Sequence, residues 1–259
     1  MGNARMNTLR IHQLSAGHQA KALVTDVDLN CEGGGLVALI GVNGSGKSTL
    51  LRCLAGLHRP MAGGVQVNGR SLLGLDARER ARMVSMVMPG RSPAAALDVR
   101  SLVALGRQPW TGYFGALRPA DDAAVEAALG ATGTSHLAHR PLHALSDGEH
   151  QLVTIARAIA QDTPIVLLDE PTAFLDLVNR IMVVRSLARL ARELGRIIVF
   201  STHDLQVAVD HADRLLLLHG GRSHSGAPLD VLGSDAMQAA FSADGLRFDA
   251  VTRSLRVAR

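Results

Sequence analysis

An α/β fold, with helices covering a largely parallel sheet, follows from three observations on this 259-residue chain. First, Leu36-Val-Ala-Leu-Ile40, Met83-Val-Ser-Met-Val-Met88, Ile165-Val-Leu-Leu168 and the apolar stretch of Arg196-Ile-Ile-Val-Phe-Ser-Thr202 lack strict alternation, as strands covered on both faces do. Second, the later runs are separated by helical periodicity over roughly 178–194. Third, hydrophobic residues make up 47% of the chain but aromatic ones only 3%, so the core must be built from Ala, Val, Leu and Ile. Such a core suits helix-on-sheet packing, and the chain is poor in the stacking residues that single-stranded nucleic-acid binders use.

The elements follow in order. Residues 8–30 alternate apolar and polar positions in short runs (Leu9, Ile11, then Leu23, Val27, Leu29) and read as antiparallel strands. After Gly33-Gly-Gly35 comes the buried run 36–40, then a glycine-rich loop, then Thr49-Leu-Leu-Arg-Cys-Leu-Ala55 with helical periodicity that stops at Gly56. A second β section spans about 61–75, with Asn68-Gly69 as a hairpin turn. Asp76 to Arg82 reads as a short charged helix leading into the strand 83–88. From 89 to 145 Pro, Gly and Ala dominate, with helical patches at 98–106 and 120–130 and no buried strand, as expected of a helical insertion. A helix from His150 to Ala160 precedes the returning sheet, and a hairpin turning at Gly220-Gly221 follows it.

The chain carries 27 Lys plus Arg against 23 Asp plus Glu, a net +4 that speaks for solubility and not for a nucleic-acid partner. Cys31 and Cys53, the only cysteines, lack metal-site spacing and are expected to be buried hydrophobes in a reducing compartment. No apolar run approaches the roughly 18–20 residues needed to span a bilayer, and Met1-Gly-Asn-Ala-Arg5 lacks an apolar signal core, so a soluble, cytoplasmic chain is expected. The 26 glycines exceed an average share of roughly 7%, which points to places where only a missing Cβ will fit.

Gly41 to Ser48 fits the phosphate-binding pattern G-x-x-x-x-G-K-S between a strand and a helix. Its glycines let backbone N–H groups turn onto phosphate oxygens at a helix N-terminus. Lys47 would reach the β and γ phosphates, and the Ser48 hydroxyl would ligate Mg²⁺. Asp169 and Glu170 end an apolar strand at the sheet edge where nucleotides bind. Asp169 would hold the metal and Glu170 would polarise the attacking water, although an acidic pair there can also serve a helix N-terminus. Ser146 and Glu149 form a capping-box pattern that explains both residues structurally. Gly148 is costly in a first helical turn unless something approaches closely, and a phosphate would supply the reason.

Together these segments resemble the ATP-binding subunits of ABC transporters over essentially the whole chain. Leu145-Ser-Asp-Gly-Glu149 looks like that family's signature, usually Leu-Ser-Gly-Gly-Gln. Leu168-Asp-Glu-Pro-Thr-Ala-Phe-Leu-Asp176 looks like its Walker B segment and D-loop, with Asp176 as the acid, and His203 matches the switch histidine. The resemblance implies a P-loop NTPase (RecA-like) core with an antiparallel β subdomain and an inserted helical subdomain. One ABC ATP-binding domain would span 1–259, with 1–88 and 150–259 as the core and 89–149 as the insertion. It implies ATP and Mg²⁺ at Gly41, Asn43, Gly44, Ser45, Gly46, Lys47, Ser48 and Thr49, with metal at Ser48 and Asp169 and catalysis by Lys47, Glu170 and His203. Two copies would pair head to tail, so that Ser146, Gly148, Glu149 and Asp176 of one chain complete the site of the other. An integral-membrane permease, and through it an extracytoplasmic substrate-binding protein, would complete a machine at the cytoplasmic face of the inner membrane.

Three positions depart from the family pattern. Pro89 stands where the family carries a Gln that senses metal and water, which predicts slower but measurable hydrolysis. Asp147 adds a negative charge in the signature, and His18 stands where an aromatic ring commonly stacks on adenine, although a surface histidine is an equal reading. The Leu105-Gly-Arg-Gln-Pro-Trp110 region resembles the ATPases of ferric-siderophore, haem and cobalamin importers. There Trp110 and Tyr113 read either as an exposed anchor for a partner or as a small satellite core. An exporter ATPase and a non-transport ABC-type ATPase are the alternatives.

Overall fold

Strand β1 (Thr8–His18) returns as β2 (Lys21–Glu32), and β1 also pairs antiparallel with β4 (Ala62–Val67), to which β5 (Arg70–Ser71) adds, giving the order β2-β1-β4-β5. The computed structural model describes residues 6–18, 21–90, 97–112, 115–241, 246–249 and 254–257. Between β4 and β5, Asn68 and Gly69 both take positive φ (50° and 75°), the hairpin geometry that the Asn-Gly pair predicts.

The second sheet joins β3 (Gly35–Ile40), β6 (Val84–Val87), β7 (Ile165–Leu168), β8 (Ile197–Ser201), β9 (Arg214–His219) and β10 (Arg222–Gly226) in the order β10-β9-β3-β8-β7-β6. Every neighbouring pair is parallel except β9 with β10, which form the hairpin expected at Gly220-Gly221. Alternate side chains leave a strand on opposite faces, so this sheet divides the interior in two. Val37, Leu39, Leu167 and Val199 face the antiparallel sheet and α1 (Lys47–Leu54), packing on Leu14, Val24, Leu50 and Leu51. Leu36, Ala38, Leu168 and Phe200 face the other helices.

Those helices are α3 (Val99–Ala104), α4 (Pro119–Thr132), α5 (Asp147–Ala160), α6 (Leu177–Glu193), α7 (Leu205–His211), α8 (Pro228–Leu232) and α9 (Asp235–Phe241). The charged α2 (Ala77–Met83) starts on an Asp76–Glu79 capping box. A small pair, β11 (Leu246–Asp249) and β12 (Ser254–Val257), completes the described chain. Leu102, Val125 and Leu129 of the helical stretch share one buried cluster with Leu36 and Phe200 of the sheet. A boundary between 149 and 150 falls inside α5, which runs uninterrupted from Asp147 to Ala160.

The Leu-Gly-Arg segment binds the helical stretch to the sheet domain. A Cβ at Gly106 would stand 2.3 Å from the Arg157 carbonyl oxygen, so only glycine lets this turn rest on α5. Arg107 Nε donates to Asp121 Oδ1 at 3.0 Å, and Nη1 donates to the Ala160 carbonyl at 2.7 Å. Trp110 is half-buried and donates through Nε1 to the Gln161 carbonyl at 2.7 Å, with the guanidinium carbons of Arg82 and Arg107 at 4.7 and 5.4 Å from the ring. The indole is therefore engaged within the chain, by one carbonyl and two guanidinium groups; Tyr113 lies outside the described residues. Cys53 is buried as expected, but Cys31 is only half-buried, near the rim of the antiparallel sheet's core, which corrects the expectation for that residue. Among the described residues no helix is long and apolar enough to cross a membrane.

Candidate functional site

Parallel strands deliver their C-terminal ends to one edge, and the candidate residues gather there. The glycine loop leaves β3 after Ile40, Met88 and Pro89 follow β6, Asp169 and Glu170 follow β7, and Thr202 and His203 follow β8. Backbone bonds continue the alignment past the strand ends, from Thr202 N to Leu39 O (3.1 Å) and from Asp169 N to Val87 O (2.9 Å).

The loop bends sharply at Gly41, where a Cβ would stand 2.5 Å from the Leu218 carbonyl oxygen, and enters α1 from a left-handed Gly46 (φ 98°). Lys47 opens the helix, two residues ahead of the periodicity read from Thr49. Its buried Nζ donates to the carbonyls of Gly41 (2.8 Å) and Val42 (3.2 Å), which folds the side chain across the loop. Burial pushes its pKa below the ordinary lysine value, while the charges of Glu170 and Asp169 oppose that shift. The two carboxylates thus act electrostatically on the loop lysine from another strand. Ser45 Oγ is buried with no hydrogen-bond partner, a polar atom aligned with a need for an oxygen-rich ligand.

Asp169 is 2% exposed and accepts from Ser201 Oγ at 2.7 Å, while Glu170 N donates to the same Ser201 Oγ at 2.8 Å. Ser201 ends β8, the strand between β7 and β3, so one hydroxyl fixes both acidic residues. Glu170 is held at φ 46°, a left-handed conformation rare for a side-chain-bearing residue and common where function demands a fixed direction. His203 is exposed just beyond β8.

Asp147, His150 and Gln151 of α5 share a cleft of about 250 Å³ with Pro89, Asp169 and Glu170. A wider cleft of about 610 Å³ lies on the solvent face of the antiparallel sheet, among Arg10, Asp28 and Gln66, away from the glycine loop. The smaller cleft holds the strand-end chemistry.

Ser146 and Glu149 make the expected capping box, with Glu149 Oε2 accepting from Ser146 N at 2.8 Å and Ser146 Oγ accepting from Glu149 N at 3.3 Å. The Ser146 backbone N–H and the Ser146 hydroxyl, which donates to Glu149 Oε2 at 2.9 Å, hold the Glu149 carboxyl below its usual pKa, helped by nearby Arg140. Gly148 has an intrachain reason that sequence reasoning did not find: a Cβ there would stand 2.9 Å from Asn179 Oδ1 of α6. Asp176 caps α6, accepting from Asn179 N (2.9 Å) and Asn179 Nδ2 (2.7 Å), so Asp176, Asn179 and Gly148 form one contact between two helix starts. His18 reaches α1, with Nε2 3.1 Å from Thr49 Oγ1 and its ring edge-on to His58.

Sequence reasoning also missed Ser201 and Gln151. A hydroxyl ending an otherwise apolar strand was the available signal for Ser201. Gln151 on a helix reads as surface until tertiary packing buries its Nε2, which has no hydrogen-bond partner.

The metal implied by this arrangement fits the residues present. Ser48 and Asp169 supply one hydroxyl and one carboxylate, the donor set Mg²⁺ uses where phosphates and water complete its shell. Among the described residues no three His, Cys, Asp or Glu side chains form a cluster of their own.

Residues 24–173 match the family model described as ABC transporter. The chain is 35% identical over 240 residues to an iron(3+)-hydroxamate import ATP-binding protein of Bacillus subtilis, covering 92% of this chain and 89% of that one. It is 39% identical over 234 residues to a hemin import ATP-binding protein of Nocardia farcinica, covering 90% and 80%. Among solved structures, an ABC transporter of metal-chelate type in an inward-facing conformation matches with a TM-score of 0.79 and 32% identity, over 91% of this chain and 89% of that chain.

Proposed function

Because the chain belongs to the ABC transporter family, we propose that it is the ATP-hydrolysing subunit of an importer for iron chelates, haem or a similar large chelate such as cobalamin. The observation that carries the catalytic part is the meeting of Lys47 with Asp169 and Glu170 at one sheet edge. The relatives' import of iron(3+)-hydroxamate and hemin supports the substrate class.

In this reading the N–H groups of Gly41 to Thr49 and the N-terminus of α1 bind the phosphates of ATP. Lys47 exchanges its two carbonyl partners for β- and γ-phosphate oxygens, whose charge favours the protonated amine against burial. Ser48 and Asp169 hold Mg²⁺, which neutralises phosphate charge when bound. Ser201 positions both acids, and Glu170 orients and polarises the water that attacks the γ-phosphate. His203 contacts the γ-phosphate from the end of β8, and His18 offers its ring to adenine once it leaves Thr49. Two copies pair head to tail, so that Ser146, Gly148, Glu149 and Asp176 of each complete the site of the other. Residues 89–149 form the insertion that meets an integral-membrane permease. The subunit works at the cytoplasmic face of the inner membrane, and an extracytoplasmic binding protein delivers the cargo.

Glu170→Gln tests the chemistry: nucleotide should still bind and hold the subunits as a dimer, while phosphate release in the permease complex drops by about 100-fold or more. Turnover at the wild-type rate would overturn the role of Glu170. For the cargo, a deletion strain should regain uptake of ferric siderophore, haem or cobalamin on re-expression, and competition among the three identifies which. Uptake of all three that is unchanged by deletion would refute the importer assignment.

A further inference from the structure

The Glu170 cleft has a gap in its hydrogen-bonding wall and an unused donor beside it. Pro89 follows β6 into this cleft and has neither a side-chain donor nor a backbone N–H. Gln151 lines the same cleft from the second turn of α5, and its Nε2 is buried with no hydrogen-bond partner. A buried amide nitrogen without an acceptor is unfavourable, so its retention calls for a partner that arrives with another state of the site. Both nearby strand-end groups are acidic: Asp169 accepts from Ser201, whereas Glu170 makes hydrogen bonds among the described residues only through its backbone. The chemistry that would satisfy Gln151 is therefore an acceptor oxygen at Glu170, namely the water that Glu170 orients.

We propose that Gln151 is a positioning residue for hydrolysis, donating through Nε2 to the water at Glu170 and replacing the donor that Pro89 cannot supply. This rests on the assignment of Glu170 above. Because Gln151 sits on the helix that begins at Asp147, any shift of α5 moves this donor relative to the strand-borne carboxylate. Water alignment is thereby tied to the helix that carries the candidate dimer contacts.

The test uses the chain assembled with its permease and compares Gln151→Glu, which keeps shape but loses the donor, with the same change combined with Pro89→Gln. Gln151→Glu should lower kcat by about tenfold, the scale of one hydrogen bond, with KM for ATP changed less than about twofold. Adding Pro89→Gln should restore most of the lost kcat. Gln151→Glu with wild-type kcat, or a loss that Pro89→Gln does not repair, overturns the proposal. Gln151→Ala, monitored by thermal unfolding, covers the case in which the added carboxylate disturbs folding: lower kcat at unchanged melting temperature supports the role, and lower kcat only in step with lost fold refutes it. Glu170→Gln serves as the control. If that variant hydrolyses normally, the catalytic assignment itself fails; if it is inactive while Gln151→Glu is normal, only the role of Gln151 fails.

Discussion

A Cβ at Gly148 would press on an Asn179 side chain already bound to Asp176, so the neighbour cannot swing away without giving up a cap bond. Alanine also favours a helix over glycine by about 1 kcal/mol. Gly148→Ala should therefore be neutral or destabilising in the native chain and stabilising in an Asn179→Ala background, with a coupling of about 1 kcal/mol measured by denaturant unfolding. Equal effects in both backgrounds would locate the glycine requirement outside this contact. The thiols offer a second residue-scale outcome. Burial, against a smaller opposing effect of Arg214, pushes Cys31 from 9.0 up to about 11, which makes its thiolate scarce at pH 8. Alkylation of the native chain by iodoacetamide at that pH should run about a hundredfold slower than for a free thiol; labelling at the free-thiol rate would contradict this placement.

Among the elements, the helical stretch depends on charged groups whose loss can be read directly. The Arg107–Asp121 pair is 8% and 5% exposed in its side chains, and removing one partner leaves the other charge buried. Asp121→Asn should cost about 3 kcal/mol in global unfolding, far above an exposed pair such as Arg189–Glu193. Acid acts on the same region. Asp98 is held low chiefly by Ser101, Asp121 by the Arg118 backbone, and Glu149 by the Ser146 backbone, all below the ordinary 3.8 for Asp and 4.5 for Glu. Their stabilisation is complete above those values and is lost as pH falls through them toward the lower folded ones. Glu149→Gln keeps a capping-box side chain but cannot ionise, so it should flatten the acid limb of a circular-dichroism titration below about pH 4.5. An unchanged acid limb would contradict the Glu149 contribution. These elements were unequally legible. The buried strands announced themselves because runs such as 36–40 and 165–168 admit no solvent face. The start of α1 was read late because Lys47 looks like a loop residue until the turn closes, whereas the Ser146–Glu149 capping box marked the start of α5 although the periodicity was read only from His150. α7 to α9 were not resolved from their short patterns, and the tertiary partners Asn179 and Ser201 lie about thirty residues from Gly148 and from the acidic pair that they contact.

At the scale of the whole molecule, the question is whether the stretch between β6 and β7 folds as its own unit. Leu102, Val125 and Leu129 share one apolar cluster with Leu36 and Phe200, so among the described residues apolar packing runs continuously from the helical stretch to the sheet. The clasp around Trp110 adds polar ties to both sides, since Gln161 accepts from the indole and donates through Nε2 to the carbonyls of Ala81 (2.7 Å) and Val84 (3.2 Å). Trp110 is also the single tryptophan of the chain, which makes its emission a local reporter of this junction. Urea unfolding followed by tryptophan emission and by far-ultraviolet circular dichroism should therefore give coincident transitions, as one cooperative unit requires. Arg82→Ala removes a cation from the ring face and should shift both curves together to lower urea, by the stability of one such contact, about 1 kcal/mol. If emission changes well before ellipticity, the junction opens while the sheet stays folded, and the helical stretch is a separable body. Coincidence means instead that motion of this stretch must strain the sheet edge where Lys47, Asp169 and Glu170 meet, so that a partner pulling on one end is felt at the other.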